Sequence, residues 1–190
     1  MDDQIVNTVY YQQAGADNTQ RTLLLALERA EALGIEDIVV ATTSGNTGLA
    51  AARLFAGRNL VIVSHSTGFG TPNEQELEPA LRDQIETLGA RVLTCQHAFG
   101  GVGRAIRRKF GSYQIDEIIA FTLRTMGQGI KVACEITLMA ADAGSVPAAK
   151  EIIAIGGTGR GADTAAVIYS ANSQDLFDLR ILEILCKPRA

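Results

Sequence analysis

Apolar positions along this chain fall into two rhythms. Continuous β-branched runs occupy Asp37–Thr42, Leu60–Ser64, Arg91–Cys95, Glu151–Ile155 and Thr164–Ser170. Runs of this length, without alternation, are expected of strands buried on both faces. Further strands are expected at Asn7–Tyr11 and Leu179–Cys186. Between them the apolar residues recur at helical spacing. The pattern predicts helices over Thr19–Leu33, with Leu24, Leu27, Ala30 and Ala32 on the apolar stripe, and over Thr47–Ala56. A third helix is expected from an Asn73 cap to about Leu88, with Glu74, Glu76 and Glu78 in its first turn. A short basic helix carries Arg104, Arg107, Arg108 and Lys109, and a long helical region spans Asp116–Ala143, broken near Gly127 and Gly129. Asp17, Asn18 and Thr19 offer a cap at the start of the first helix, and Gly34 stops it.

Strands alternating with helices imply a three-layer α/β/α fold, a mostly parallel sheet with helices on both faces. Only a short glycine-rich segment joins Glu151–Ile155 to Thr164–Ser170, too little for a parallel crossover, so that pair is expected to be antiparallel. No linker or internal repeat interrupts the chain, and residues 1–190 are expected to form a single domain.

Ligands of open α/β sheets sit beyond the carboxyl ends of strands. Three polar loops leave such ends here: Thr42-Thr43-Ser44-Gly45-Asn46-Thr47-Gly48, the stretch from Ser64 through His65, Thr67, Gly68 and Phe69 to Thr71, and Gly156-Gly157-Thr158-Gly159-Arg160-Gly161-Ala162-Asp163. The first runs directly into a helix, whose free N–H groups and dipole favour an anion. Its polar side chains are all neutral, so it reads either as a phosphate cradle or as an ordinary turn capped by Ser44 or Asn46. In the third, glycines allow close backbone approach and Arg160 suits a phosphate or a planar ring, with Asp163 positioned to fix Arg160 or cap the turn. The pattern G-x-x-x-x-G-K-[ST] is absent, and the Gly157–Ala162 run leads into a strand instead of a helix, against both a P-loop and a standard dinucleotide site.

Composition narrows the partners. Hydrophobic residues make up 47% of the chain and aromatics 5%, so the core is aliphatic. The net charge of -4 argues against a nucleic-acid groove or an anionic membrane surface. Cys95, Cys134 and Cys186 are dispersed and expected to be reduced and buried. The acidic start Met1-Asp2-Asp3-Gln4 has no apolar leader pattern, and a soluble, cytoplasmic protein is expected. His65 and His97 both follow strands and are candidates for acid–base or ligand contacts, but their spacing does not suit a metal.

Two resemblances add to this reading. Thr43-Ser44-Gly45-Asn46-Thr47-Gly48 resembles the cofactor cradle of fold-type II pyridoxal phosphate enzymes such as cysteine synthase. Those enzymes carry a Schiff-base lysine upstream, whereas the first lysine here is Lys109, so the likeness implies an anion cradle and not that enzyme class. The second resemblance covers nearly the whole chain. It rests on Asp17-Asn18-Thr19, Val39–Ala50, Gly101-Val102-Gly103-Arg104, Glu135-Ile136, Met139–Gly144, Ile155-Gly156-Gly157-Thr158 and Gly161–Ala165. These residues resemble a family of stand-alone proteins similar to the C-terminal α/β domain of pyruvate kinase. The resemblance implies a sheet of core order 3-2-1-4-5, counted from the strand at Asp37, with the last strand antiparallel. In pyruvate kinase that domain binds a sugar bisphosphate through loops corresponding to Thr42–Thr47 and Gly156–Asp163. The stand-alone relatives are associated with flavin mononucleotide (FMN).

No catalytic barrel accompanies the domain, so pyruvate kinase activity is not implied. Asn46 stands where that enzyme's loop carries a base, which favours a monophosphate with an aromatic head over a sugar bisphosphate. The expected function is therefore binding of a phosphate ester, FMN first. Thr42, Thr43, Ser44, Gly45, Asn46 and Thr47 would hold the phosphate; His65, Thr67, Gly68, Gly156, Gly157, Thr158, Gly159, Arg160 and Asp163 would surround the head. The alternative is a non-catalytic regulatory module for a phosphorylated metabolite or protein partner. The apolar region Ile118–Met139 suggests a homo-oligomer.

Overall fold

The computed structural model describes residues 3–189; Met1 and Asp2, the beginning of the acidic start, lie outside the described residues. Its sheet has seven strands: β1 (Val9–Tyr11), β2 (Asp37–Ala41), β3 (Asn59–Ser64), β4 (Arg91–Thr94), β5 (Glu151–Gly156), β6 (Thr164–Tyr169) and β7 (Arg180–Pro188). They are ordered β1-β7-β6-β5-β2-β3-β4. The segment β4-β3-β2-β5-β6 is the expected 3-2-1-4-5 core. Only β6 runs against the rest, pairing antiparallel with both β5 and β7. The Gly157–Asp163 link is the reason: it is long enough to reverse the chain and too short to cross over.

Six α-helices cover the two faces. α1 (Thr19–Leu33), α2 (Asn46–Leu54) and α3 (Pro79–Thr87) pack on one; α4 (Val102–Phe110), α5 (Ile115–Arg124) and α6 (Gln128–Asp142) lie on the other. Strand periodicity divides the core between them. Ile38, Val40, Ile153 and Ile155 point toward Leu23, Ala26, Ala51 and Phe55. Their neighbours Val39, Ile152 and Ala154 point toward Ile130, Ala133 and Leu138.

The structure corrects three expectations. The stripe of α1 is Thr22, Leu23, Ala26 and Ala30, while Leu24 and Ala32 are exposed. Asn18 does not cap α1; its amide turns back to the carbonyls of Gln13 (2.8 Å) and Gly15 (3.3 Å). α3 begins at Pro79, where a fixed φ suits the first turn, and not at Asn73, which sits in a turn with φ 67°. Glu74, Glu76 and Glu78 consequently belong to a loop folded over β3.

The long helical region does break at Gly127, and its halves differ. α6 is buried almost all round between sheet and α5, while α5 exposes Ile115, Ile118 and Phe121. Among the described residues no helix is long and apolar enough to cross a membrane.

Candidate functional site

A cleft of about 1220 Å³ opens over the carboxyl ends of β2, β3 and β5. Thr42 starts its first wall. The Thr42 N–H donates to Val63 O at 2.9 Å, and its Oγ1 accepts the N–H of Gly48 at 3.2 Å. Thr42 thus satisfies the first turn of α2 from below. Neither Ser44 nor Asn46 caps it; Asn46 Nδ2 only reaches Ser44 Oγ at 3.4 Å. The N–H groups of Asn46 and Thr47, at the first two helical positions, have no intrahelical acceptor and remain for a ligand. Gly45 turns the chain there with φ 110°. A Cβ on it would lie 2.8 Å from Leu77 and Leu81, so its Cα faces α3 and not the cleft.

The hairpin after β5 supplies the facing wall through Gly157, Gly159, Arg160 and Gly161, backed by Ala16 and Thr19. This loop is fixed and not free. Asp163, fully buried, accepts hydrogen bonds from Gly15 N (2.9 Å), Thr158 N (3.1 Å) and Thr164 Oγ1 (2.9 Å). Thr19 Oγ1 accepts the N–H of Ala162 at 3.0 Å. Asp163 therefore fixes the turn and makes no hydrogen bond or ion pair with Arg160 among the described residues. Gly156 also stays out of the cleft, its Cα pressed against Gly129 O and Val132.

The third wall is aromatic. His65, Phe69 and His97 cluster with ring centroids 4.2 to 5.3 Å apart, and Phe69 stacks on His97 at 5.0 Å with an interplanar angle of 18°. His65 Nδ1 lies 2.6 Å from Glu76 Oε2, and the guanidinium of Arg104 sits 4.8 Å above Phe69. Thr67 and Gly68 lie on the outer side of this loop, exposed and away from the cleft lining. The basic helix divides: Arg104 enters the cleft, Arg107 pairs with Glu117 at 2.6 Å, and Arg108 and Lys109 face solvent.

The floor holds a charged cluster. Lys131 Nζ donates to Glu135 Oε2, Phe99 N donates to Glu135 Oε1 at 3.0 Å, and His97 Nδ1 lies 3.7 Å from Glu135 Oε2. Lys131 and Glu135 are 5% and 3% exposed, so the pair is desolvated and its geometry is fixed by packing. Burial pushes the Glu135 carboxyl up, but the facing His97 ring and the Lys131 charge outweigh it and hold it at about 2. Burial lowers the proton affinity of Lys131 against the pull of Glu135, and the nearby charges of Arg124 and Arg104 lower it further. His97 Nε2 is buried without a hydrogen-bond partner.

The structure thus brings Thr42, Thr43, Ser44, Asn46, Thr47, His65, Gly157, Gly159 and Arg160 into one cleft, and leaves Gly45, Thr67, Gly68, Gly156, Thr158 and Asp163 outside its lining. Lys131, Glu135 and Arg124 are cleft residues that the sequence reading missed, whereas Phe69 lies on a loop it had named. A signal existed for the first two: opposite charges four residues apart inside an otherwise apolar helix must be paired indoors.

A model of the family described as "Pyruvate kinase, alpha/beta domain" matches residues 20–168. Among solved structures, a mutant of O-ureido-L-serine synthase bound to O-ureido-L-serine is 21% identical, with a TM-score of 0.32 over 66% of this chain and 47% of that one. A hydrogen sulfide-producing enzyme from Fusobacterium nucleatum is 19% identical, with a TM-score of 0.29 over 57% of this chain and 28% of that one. The chain spans less than half the length of either. β1, β7 and the Ala16–Thr19 wall lie outside the family match.

Proposed function

The chain belongs to the pyruvate kinase alpha/beta domain family, and from that premise we propose that it binds a phosphate ester with a planar head, FMN first, across the cleft between the Thr42–Thr47 loop and the aromatic wall. One observation carries the reading. The open Asn46 and Thr47 N–H groups at the start of α2 lie in the same cleft as the stacked Phe69 and His97 rings, so anion donors and an aromatic surface face one space.

The residues present fit such a group. Thr43, Ser44, Asn46 and Thr47 offer neutral donors that hold a phosphate without an ion pair. The cleft is larger than the roughly 300–1,000 Å³ typical of small-molecule sites. The packed His65, Phe69 and His97 cluster gives the cleft an aromatic side against which a planar head can lie, and Arg160 stands on the opposite side. A bound flavin would supply hydride or single-electron transfer. The protein's part is to bind the phosphate, orient the ring and exclude water from it.

Three dispersed free thiols support a reducing compartment such as the cytoplasm. The exposed Ile115, Ile118 and Phe121 of α5 support self-association, which sedimentation at several concentrations would read.

The test is titration of ligand-free protein with FMN. Quenching of flavin fluorescence and a perturbed visible band are expected, with riboflavin, which lacks the phosphate, binding at least tenfold more weakly. An unperturbed FMN spectrum would overturn the reading. Stabilisation by sugar phosphates alone would favour the regulatory module instead.

A further inference from the structure

We infer that the cleft selects a planar head carrying negative charge, and so holds the reduced, anionic form of the flavin more tightly than the oxidised, neutral form. This deepens the flavin reading and rests on it.

The carboxylates and cations of the cleft do not balance at its aromatic end. Glu135 is paired with Lys131 and accepts from Phe99 N, while Glu76 is hydrogen-bonded to the His65 ring at 2.6 Å and keeps its negative charge. Glu78 lies at the other end, where its N–H donates to Ser44 O at 3.3 Å. Arg104 and Arg124 have no carboxylate partner among the described residues. Arg104 rests on Phe69 at 4.8 Å; Arg124 rests on Phe121 at 5.2 Å and donates from Nε to Gln128 Oε1 at 2.7 Å. Both lie close enough to Lys131 for their charges to be felt there. Arg104, Arg124 and Lys131 therefore outnumber Glu76 and Glu135 beside the aromatic wall, leaving that end of the cleft with excess positive charge. His97 Nε2 is buried and unpartnered within that wall. The half-buried Arg104 favours an anion beyond its effect in water, and the exposed Arg124 adds a weaker, solvent-screened attraction.

A flavin changes charge without changing shape. Two electrons and one proton convert oxidised FMN to the hydroquinone anion. The proton goes to N5, and the negative charge spreads over N1 and the C2 carbonyl. Cations at that edge stabilise the product of reduction and not the starting form.

The experiment measures the midpoint potential of protein-bound FMN during dithionite reduction against a reference dye, with free FMN alongside at the same pH. The bound potential is expected to be more positive by about 30 mV or more, equivalent to a tenfold preference for the reduced form in a two-electron couple. Arg104→Gln and Arg124→Gln should each move it back toward the free value. Arg124 is exposed, so its substitution tests the idea without threatening the fold. FMN that binds with a potential at or below that of free FMN, or one unmoved by both substitutions, would overturn this inference and leave the flavin reading standing. FMN that does not bind at all overturns both.

Discussion

The carboxylate of Asp163 accepts the backbone N–H of Gly15 at 2.9 Å, joining two residues 148 positions apart. Through this bond the turn before α1 holds the hairpin after β5 in place as a wall of the cleft. The hairpin lies inside the family match and the turn that latches it lies outside. Asp163→Ala strands three donors around a fully buried cavity. Stability should fall by about 3 kcal/mol, and Asp163→Asn, which keeps one acceptor oxygen, should lose less. Urea unfolding measures both, and faster exchange of the Gly15 and Thr158 amides would identify the latch.

The Thr42–Thr47 loop is held from behind by packing. A Cβ at Gly45 would approach Leu77 and Leu81 to 2.8 Å, on a residue whose φ of 110° disfavours side chains. Gly45→Ala should therefore cost about 2 kcal/mol or more, through both backbone and overpacking. A thermal midpoint equal to that of the wild type would show that α3 yields.

In front, the same loop presents its ligand donors. Ser44→Leu and Thr47→Leu should each weaken FMN binding more than tenfold, because the bulk covers the open N–H groups of α2. Circular dichroism should show the fold retained. Unchanged affinity in both variants would remove the phosphate from this loop.

The ion pair on the floor sets a pH response. The Glu135 carboxyl is held at about 2, against 4.5 for the free group. The unfolded chain thus binds the extra proton in this window, so the contribution of Glu135 to stability is complete above pH 4.5 and lost as pH falls toward 2. Lys131, also depressed, gives a slope of the same sign at the alkaline end: the cost of burying its ammonium is relieved as pH rises toward 10.5. Glu135→Gln should flatten the acid limb and cost about 3–5 kcal/mol at neutral pH, because it leaves Lys131 buried without its carboxylate.

Thiol reactivity offers an independent check on the core. Burial pushes Cys134 up to about 12 and raises Cys186 and Cys95 as well. Native protein should resist alkylation at neutral pH, with Cys95, only half-buried, reacting first. Fast labelling of Cys134 would mean that α6 opens away from the sheet.

What could be read from the residues alone follows from how local each cause is. The bounds of α1 rest on Gly34 and nearby periodicity, and they emerge unchanged. The antiparallel turn of β6 follows from the length of one loop. The face of α1 does not: which side turns inward depends on where Ile153 and Leu185 lie in the sheet. Asn73 looks like a cap in sequence, but the burial of Leu77 draws the loop down and delays the helix to Pro79. Asp163 and Arg160 stand together on one loop, yet Asp163 binds not Arg160 but Thr158, Thr164 and Gly15, the last 148 positions away. The site was legible where it lay on strand ends and hidden where it came from helix interiors, as with Lys131.

The parallel pairing of β1 with β7 has a consequence for biogenesis. Thr8 Oγ1 reaches Ile184 O, 176 residues away, and Val9 aligns with Cys186. During synthesis β1 has no partner until β7 emerges, and until then the β6 edge stands open. Contacts this distant are slow to form, and an open edge invites association with other nascent chains. The family core can assemble while translation proceeds, whereas its outer two strands must be added afterwards in one step.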